Sequence, residues 1–206
     1  MTYHDWHGRP GYFRDITRHF SRDDRILDVG CGTAWLAREF VNYTGIDSSS
    51  EAFQRSESLH ADLRVVDLTR SLPFESACFD GVILKDVLEH LMDPFSVVGE
   101  VRRVLRPGGR VFASAPDAQR WVWNDYTHVR PFTRTSFRRL FNDAGFDVER
   151  VGYESVLPGT SHIAVHTGNR RPLGLRVAAW LPGWRRNVWL TACAPSTHHT
   201  TPATQQ

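Results

Sequence analysis

Residues 25–36 read RILDVGCGTAWL, from Arg25 to Leu36. Ile26, Leu27 and Val29 form a short apolar strand pattern that runs directly into Gly30-Cys31-Gly32-Thr33-Ala34. A helix-period stretch over residues 34–41 follows at once, so the run predicts a strand, a tight turn and a helix. Gly30 and Gly32 let the backbone reverse sharply and approach a ligand closely, and the first N–H groups of the new helix are left to bind it. Asp28 brings a carboxylate to the strand end.

The glycines alone fit both a dinucleotide turn and an S-adenosylmethionine (SAM) turn. A dinucleotide fingerprint needs G-x-G-x-x-G and an acid about 20 residues on. Here the third glycine is absent and the pattern is D-x-G-x-G-x-A, yet an acid is present. Tyr43-Thr44-Gly45-Ile46-Asp47 reads as a second strand ending in a carboxylate suited to two vicinal ribose hydroxyls, with Ser48 next to it. Leu63 to Leu68 reads as a third strand, again carrying an acid, Asp67, where adenine would lie beside Leu68. Open α/β sheets bind ligands at the carboxyl ends of their strands, which is where all three acids fall.

With these residues the chain resembles the class I SAM-dependent methyltransferases, in their methyltransferase-11-like branch. The blocks that carry the resemblance are ILDVGCGTAWLA (26–37), TGIDSS (44–49), VVDLTRSLPFESACFDGVILKDVLEHLMDP (65–94), EVRRVLRPGGRVFASAPD (100–117) and, more weakly, HVRPFTRTSFRRLFNDAGFDVERV (128–151). They cover most of residues 25–151 in the expected order. Ala34 departs from the pattern: the family usually has a third glycine there, and the resemblance puts the extra methyl near the methionine end of the cofactor. The resemblance implies a Rossmann-like, doubly wound, mostly parallel seven-stranded sheet with an antiparallel last strand. It also implies SAM as cofactor and S-adenosylhomocysteine as product, held by Asp28, Gly30, Cys31, Gly32, Asp47, Ser48, Asp67, Leu68 and Lys85.

The 206 residues suit one domain with a single core. Composition is that of a globular protein, 41% hydrophobic and 23% charged. No run reaches the roughly 18 apolar residues of a membrane span, and the first residues lack a signal-peptide core, so no membrane partner and a cytoplasmic location are expected. Cys31, Cys78 and Cys193 are widely spaced with no C-x-x-C, which indicates neither a disulfide framework nor a zinc site. A net charge of +2 is mild for a phosphate-backbone binder, and the arginine clusters at 102–106 and 134–139 fall on solvated helix faces, so nucleic acid is not the expected partner.

Strand patterns fall near 25–29, 43–46, 63–67, 79–84 and 109–114, and helix patterns near 34–41, 49–57, 93–105 and 135–144. Alternation of this kind argues a parallel sheet. Pro107-Gly108-Gly109 reads as the stop of the last of these helix-to-strand joins. Residues 146–153 and 187–193 read as two final strands, which the resemblance makes an antiparallel pair. The expected organisation is an N-terminal helix and lid at 1–24, with Tyr3, Trp6, His7 and Arg9 over the cofactor. A methyltransferase domain follows at 25–194, with an insertion at 156–186 holding a short helix from Leu173 to Leu181, and a disordered polar tail at 195–206.

Methyl transfer is an in-line displacement, and positioning carries much of its rate. A base is needed only when the acceptor loses a proton. His90, in Asp86-Val87-Leu88-Glu89-His90, and His128, in Trp121 to His128, are the candidate bases, because imidazole titrates near neutrality. Either histidine also has a structural reading, pinning a loop or packing. Glu89-His90 is similar to the EH pair of cyclopropane-fatty-acid-synthase-like proteins, but the rest of that pattern is missing. Trp121, Trp123 and Tyr126 offer an apolar wall for a flat acceptor. The pairs His4/His7, His162/His166 and His198/His199 lack a third ligand at matching spacing, so no metal is expected.

The expected activity is methyl transfer to O, N or C of a small-molecule acceptor, a secondary metabolite of modest size. An RNA- or protein-directed enzyme would normally carry a recognition domain or a D/N-P-P-Y/F clamp after the fourth strand, where this chain has Leu84-Lys85-Asp86-Val87. A SAM-binding regulator, or a methyltransferase fold recruited for cyclisation, is the remaining alternative. Oligomeric state is not legible.

Overall fold

The computed structural model describes residues 14–54, 61–155 and 185–196. Its centre is a seven-stranded sheet made of β1 (Arg25–Val29), β2 (Asn42–Asp47), β3 (Asp62–Val65), β4 (Phe79–Lys85), β5 (Leu105–Pro116), β6 (Asp147–Ser155) and β7 (Arg185–Cys193). The strand order is β3-β2-β1-β4-β5-β7-β6. Neighbours among β1 to β5 pair parallel, whereas β7 runs antiparallel to both β5 and β6. The expected mostly parallel, doubly wound sheet with one reversed strand is therefore the observed one. Its order reverses between β1 and β4, the switch point at which such sheets bind ligands.

Helices α1 (Arg14–Thr17), α2 (Ser50–Gln54), α3 (Pro94–Val104) and α4 (Arg134–Asp143) accompany the strands. In α3, Val97, Val98, Val101 and Val104 are buried at helical spacing. Pro94 occupies its first turn, where no N–H is needed, and Asp93 caps it by accepting from the Ser96 N–H at 3.1 Å. A reciprocal Thr133–Ser136 cap starts α4, which buries Phe137 and Phe141. Valines and phenylalanines from these helices fill one face of the sheet. The other face is a smaller cluster of Ile16, Ile26, Leu36, Phe40, Tyr43, Ile83 and Phe112. Ile16 belongs to α1, so the described part of the 1–24 segment contributes to the core.

Three local expectations change. The helix expected at 34–41 is a 3-10 turn limited to Trp35–Glu39. Its N-cap, Ala34, sits in the left-handed region at φ 56° with no side-chain cap, Phe40 is already extended, and β2 starts at Asn42. Ala34 is also 2% exposed and belongs to the smaller core cluster. The Pro107-Gly108-Gly109 segment lies inside β5 and is not a helix stop: Gly108 N–H donates to the Ala194 carbonyl and Ala194 N–H to the Gly109 carbonyl, both at 2.8 Å. Strand β3 ends at Val65, two residues before Asp67. The lid residues, the 156–184 segment with its expected helix, and the tail beyond 196 lie outside the described residues, as do the three sequence-adjacent histidine pairs.

Candidate active site

The turn after β1 is built from backbone bonds. Gly30 and Cys31 donate to the Ile46 carbonyl at 2.8 and 3.0 Å, and Gly32 donates to Asp47 Oδ2 at 3.0 Å. The second oxygen of Asp47 accepts from Ser49 N–H at 3.0 Å, so one carboxylate ties the end of β2 to the glycine turn. Gly30 and Gly32 both have positive φ, 70° and 53°. They differ in surroundings: a Cβ on Gly30 would sit 2.2 Å from Val87 Cγ2, whereas a Cβ on Gly32 would meet nothing within 4 Å among the described residues. Open space above Gly32, beside an acid at the strand end, has the form of a cradle.

Asp28 lies beneath that turn, 4% exposed, and accepts from the Tyr43 hydroxyl at 2.7 Å. Burial raises its pKa from the ordinary 3.8 to about 7, against the opposing pull of the Tyr43 bond and the Lys85 charge. Burial also pushes the Cys31 thiol well above its usual range, so Cys31 is an inert packing thiol. Because native Asp28 holds a proton that the unfolded chain releases, its contribution to stability is complete below about pH 4 and is lost as pH rises through about 7. About three units at 1.36 kcal/mol each amounts to about 4 kcal/mol. Urea unfolding of wild type and Asp28→Asn across this range is expected to show that loss in wild type and a correspondingly flatter profile in the variant. Parallel profiles would place the native pKa of Asp28 near its unfolded value.

Asp67 stands exposed beyond β3, its carboxylate taking the Thr69 N–H and hydroxyl at 2.9 and 2.7 Å, and these bonds hold its pKa below the ordinary value. Leu68 packs half-buried against the core, and Ser48 is exposed at the end of β2. Lys85 ends β4 and pairs with Asp86. Asp86 is itself left-handed at φ 54°, and its other oxygen accepts from Ser114 Oγ at 3.1 Å and Asn187 Nδ2 at 2.8 Å. These bonds from β5 and β7 hold the strained residue and aim the following loop.

That loop is a 3-10 turn, Leu88–His90, stacked against the glycine turn through Val87. Its backbone anchors the segment that carries the other candidate base, since Val129 and Arg130 N–H both donate to the Glu89 carbonyl, at 2.9 and 3.2 Å. His90 and His128, 38 positions apart in sequence, thereby come to lie with ring centroids 4.8 Å apart. His128 Nδ1 is 2.7 Å from the Val122 carbonyl, an acceptor, which leaves its Nε2 as the proton-accepting atom. His90 Nδ1 is 3.3 Å from the Thr127 carbonyl and 3.1 Å from Thr127 Oγ1, whose own proton goes to Asp125 Oδ1 at 2.6 Å. Nδ1 is thus the donor again and Nε2 the acceptor. Burial lowers the His90 pKa below its ordinary 6.5, keeping the ring neutral near pH 7.

Glu89 completes the cluster and was missed as a site residue. It is 1% exposed, neither carboxylate oxygen has a hydrogen-bond partner among the described residues, and burial with the Asp86 charge holds its pKa well above the ordinary value. Met92, Phe95, Trp123, Tyr126 and Val129, within a few positions of His90 or His128 in sequence, are all exposed, so Trp123 and Tyr126 are not core residues. A separate groove of about 400 Å³, lined by Arg25, Asn42, Asp62 and Phe79 among others, lies at the amino ends of β1 to β4, the opposite end from these acids.

A methyltransferase-domain family model matches residues 6–151. The chain belongs to the class I SAM-dependent methyltransferases. Among curated relatives of this family, a 37.1 kDa protein in transposon TN4556 of Streptomyces fradiae is 32% identical, over 81% of this chain and 56% of its own length. A ubiquinone biosynthesis O-methyltransferase of Klebsiella pneumoniae is 36% identical, over 48% of this chain and 45% of its own. The methyltransferase chain thus spans about half the length of the curated relatives it matches. Solved structures share the fold: the 4+2 cyclase SpnF has a TM-score of 0.66 at 23% identity, covering 89% of this chain and 80% of that one. A SAM-dependent methyltransferase from Archaeoglobus fulgidus has a TM-score of 0.69 at 16% identity, covering 88% and 90%. No described helix is long and apolar enough to cross a membrane.

Proposed function

We propose that the protein transfers a methyl group from SAM to a hydroxyl of a small-molecule acceptor. The observation that carries this reading is the adjacency, at the carboxyl ends of β1 and β4, of the open turn over Gly32 and the paired histidines His90 and His128. The hydroxyl acceptor is favoured by the ubiquinone O-methyltransferases among the relatives, and the exposed apolar residues close to the two histidines in sequence suit a flat, modest-sized molecule of secondary metabolism. The cyclase and regulator alternatives share the fold but leave the paired imidazoles without a task.

Gly30, Cys31 and Gly32 would present backbone to the cofactor, Asp47 and Ser48 its ribose, and Asp67 and Leu68 its adenine. Asp28 and Lys85 would support the turn from below, since both are engaged with neighbours. When bound, SAM supplies an electrophilic methyl whose carbon–sulfur bond breaks as the new carbon–oxygen bond forms. An Nε2 atom of His90 or His128 takes the hydroxyl proton, and the trapped charge is balanced by loss of the sulfonium charge.

Calorimetry with SAM and with S-adenosylhomocysteine tests the foundation. Asp47→Ala is expected to weaken binding by about ten- to a hundredfold, since hydrogen bonds to a charged group contribute on the order of 1.5–3 kcal/mol and Asp47 also fixes Gly32. Folded wild type that gives no heat or thermal shift at millimolar cofactor would remove the reading. Unchanged affinity in the variant would move the ribose contact elsewhere.

A further inference from the structure

Glu89 is a buried carboxyl group with neither oxygen hydrogen-bonded among the described residues, and a buried polar group in that state calls for a compensating partner. Its neighbours indicate what that is. One ligating atom each of Glu89, His90 and His128 lies within 4.8 Å of the other two, and Glu89 Oε1 is 3.9 Å from His90 Nε2. Both imidazoles direct Nδ1 at a backbone carbonyl, Val122 for His128 and Thr127 for His90, leaving two Nε2 lone pairs. Metal-bound histidines are oriented by this kind of outer hydrogen bond. Asp86 is not part of the set, because Lys85, Ser114 and Asn187 occupy its oxygens.

We propose that Glu89, His90 and His128 form a binding site for a divalent first-row transition-metal ion of the zinc class. Two imidazole nitrogens and one carboxylate oxygen suit such an ion better than magnesium or calcium, which favour oxygen ligands alone. Donors around a tetrahedral ion with bonds of about 2.0–2.1 Å lie about 3.4 Å apart, so the Glu89–His90 contact at 3.9 Å needs to contract by about 0.5 Å and no contact of the set, all within 4.8 Å, by more than about 1.4 Å. Three protein ligands leave an open position. Resting on the methyl-transfer reading, an ion held there would take the acceptor hydroxyl in that position and lower its pKa so that the proton passes to solvent water, the two imidazoles then serving as ligands in place of the base role given above. The expectation of no metal came from histidine pairs close in sequence; this set spans residues 89–128 and exists only in the fold.

The test is calorimetric titration of full-length, chelator-stripped protein with zinc chloride, repeated with cobalt chloride to read the ligand field by visible absorption. Wild type is expected to bind one equivalent. Glu89→Gln and His128→Ala should each weaken that event by about a hundredfold or more. A His198→Ala/His199→Ala protein should bind as wild type does, which separates the cluster from the histidine tail. SAM affinity and circular dichroism on the same samples check the fold. Wild type that binds SAM but takes up no stoichiometric cation overturns the metal site and leaves methyl transfer standing. Cation binding unchanged in both cluster variants, or lost with the tail histidines, overturns it as well. Should a cluster variant fail to fold, the wild-type stoichiometry and cobalt spectrum decide alone. Cation binding without SAM binding would instead count against the methyl-transfer reading.

Discussion

Turnover on the true acceptor is expected to fall by about 10²–10⁴ when the working base, His90 or His128, is replaced by alanine, with SAM affinity nearly intact. The geometry sharpens how the two substitutions should compare. In both rings Nδ1 faces a backbone carbonyl and the centroids lie 4.8 Å apart, so a single base working through Nε2 predicts one large loss and one small one. Equal losses, with inhibition by a chelator, are the signature of a shared cation. The rate should climb with pH as imidazole deprotonates, because only the neutral ring accepts a proton. Burial lowers the His90 pKa, so if His90 is the base this rise is centred below the ordinary 6.5. Turnover and pH profile unchanged in both variants would exclude both histidines. Asp125 is a poor substitute, since its bonds to Thr127 lower its pKa, and Asp117 is buried with its carboxylate held by Gln119 Nε2 at 2.9 Å. Asp→Asn variants at these two positions then separate a carboxylate base from catalysis by proximity alone.

Alanine at Gly30 and alanine at Gly32 are expected to fail in different ways. Each forces a left-handed alanine, costing roughly 1–2 kcal/mol. At Gly30 the new methyl also meets Val87 Cγ2 at 2.2 Å, adding an overpacking cost of about 1–3 kcal/mol. Gly30→Ala should therefore lose about 2–5 kcal/mol of stability, seen as a lower urea midpoint. Gly32→Ala has open space around its methyl and should lose only the backbone share. Its larger effect should be on SAM, because the methyl enters the cradle: a folded Gly32→Ala protein with at least tenfold weaker SAM binding is the expected result, roughly 1.4 kcal/mol or more. Wild-type SAM affinity in Gly32→Ala would place the cofactor away from this turn.

Much of the architecture was legible because it is local. Alternating apolar runs and polar breaks placed strands within a few residues of β1, β2, β4, β6 and β7, and acid-ended strands marked the edge of the sheet where ligands bind. The 3-10 turn at 35–39 was not legible, since its residues carry helical spacing and are cut short only by the left-handed Ala34 and the nearby start of β2. Residues 107–109 look like a helix stop until Ala194, just past the end of β7, supplies partners for the backbone of Gly108 and Gly109.

The sequence by itself determined the parallel sheet, the glycine turn and the identity of the acids beside it, because hydrophobic period and glycine placement act through near neighbours. Only the tertiary structure decided that Asp28 is buried under the turn, that Asp86 is held from β5 and β7, and that Glu89 lies beside two histidines with no hydrogen-bond partner among the described residues. These are properties of burial and of long-range hydrogen bonds. His128 reaches His90 because Val129 and Arg130 donate to the Glu89 carbonyl, across a separation that no sequence period encodes.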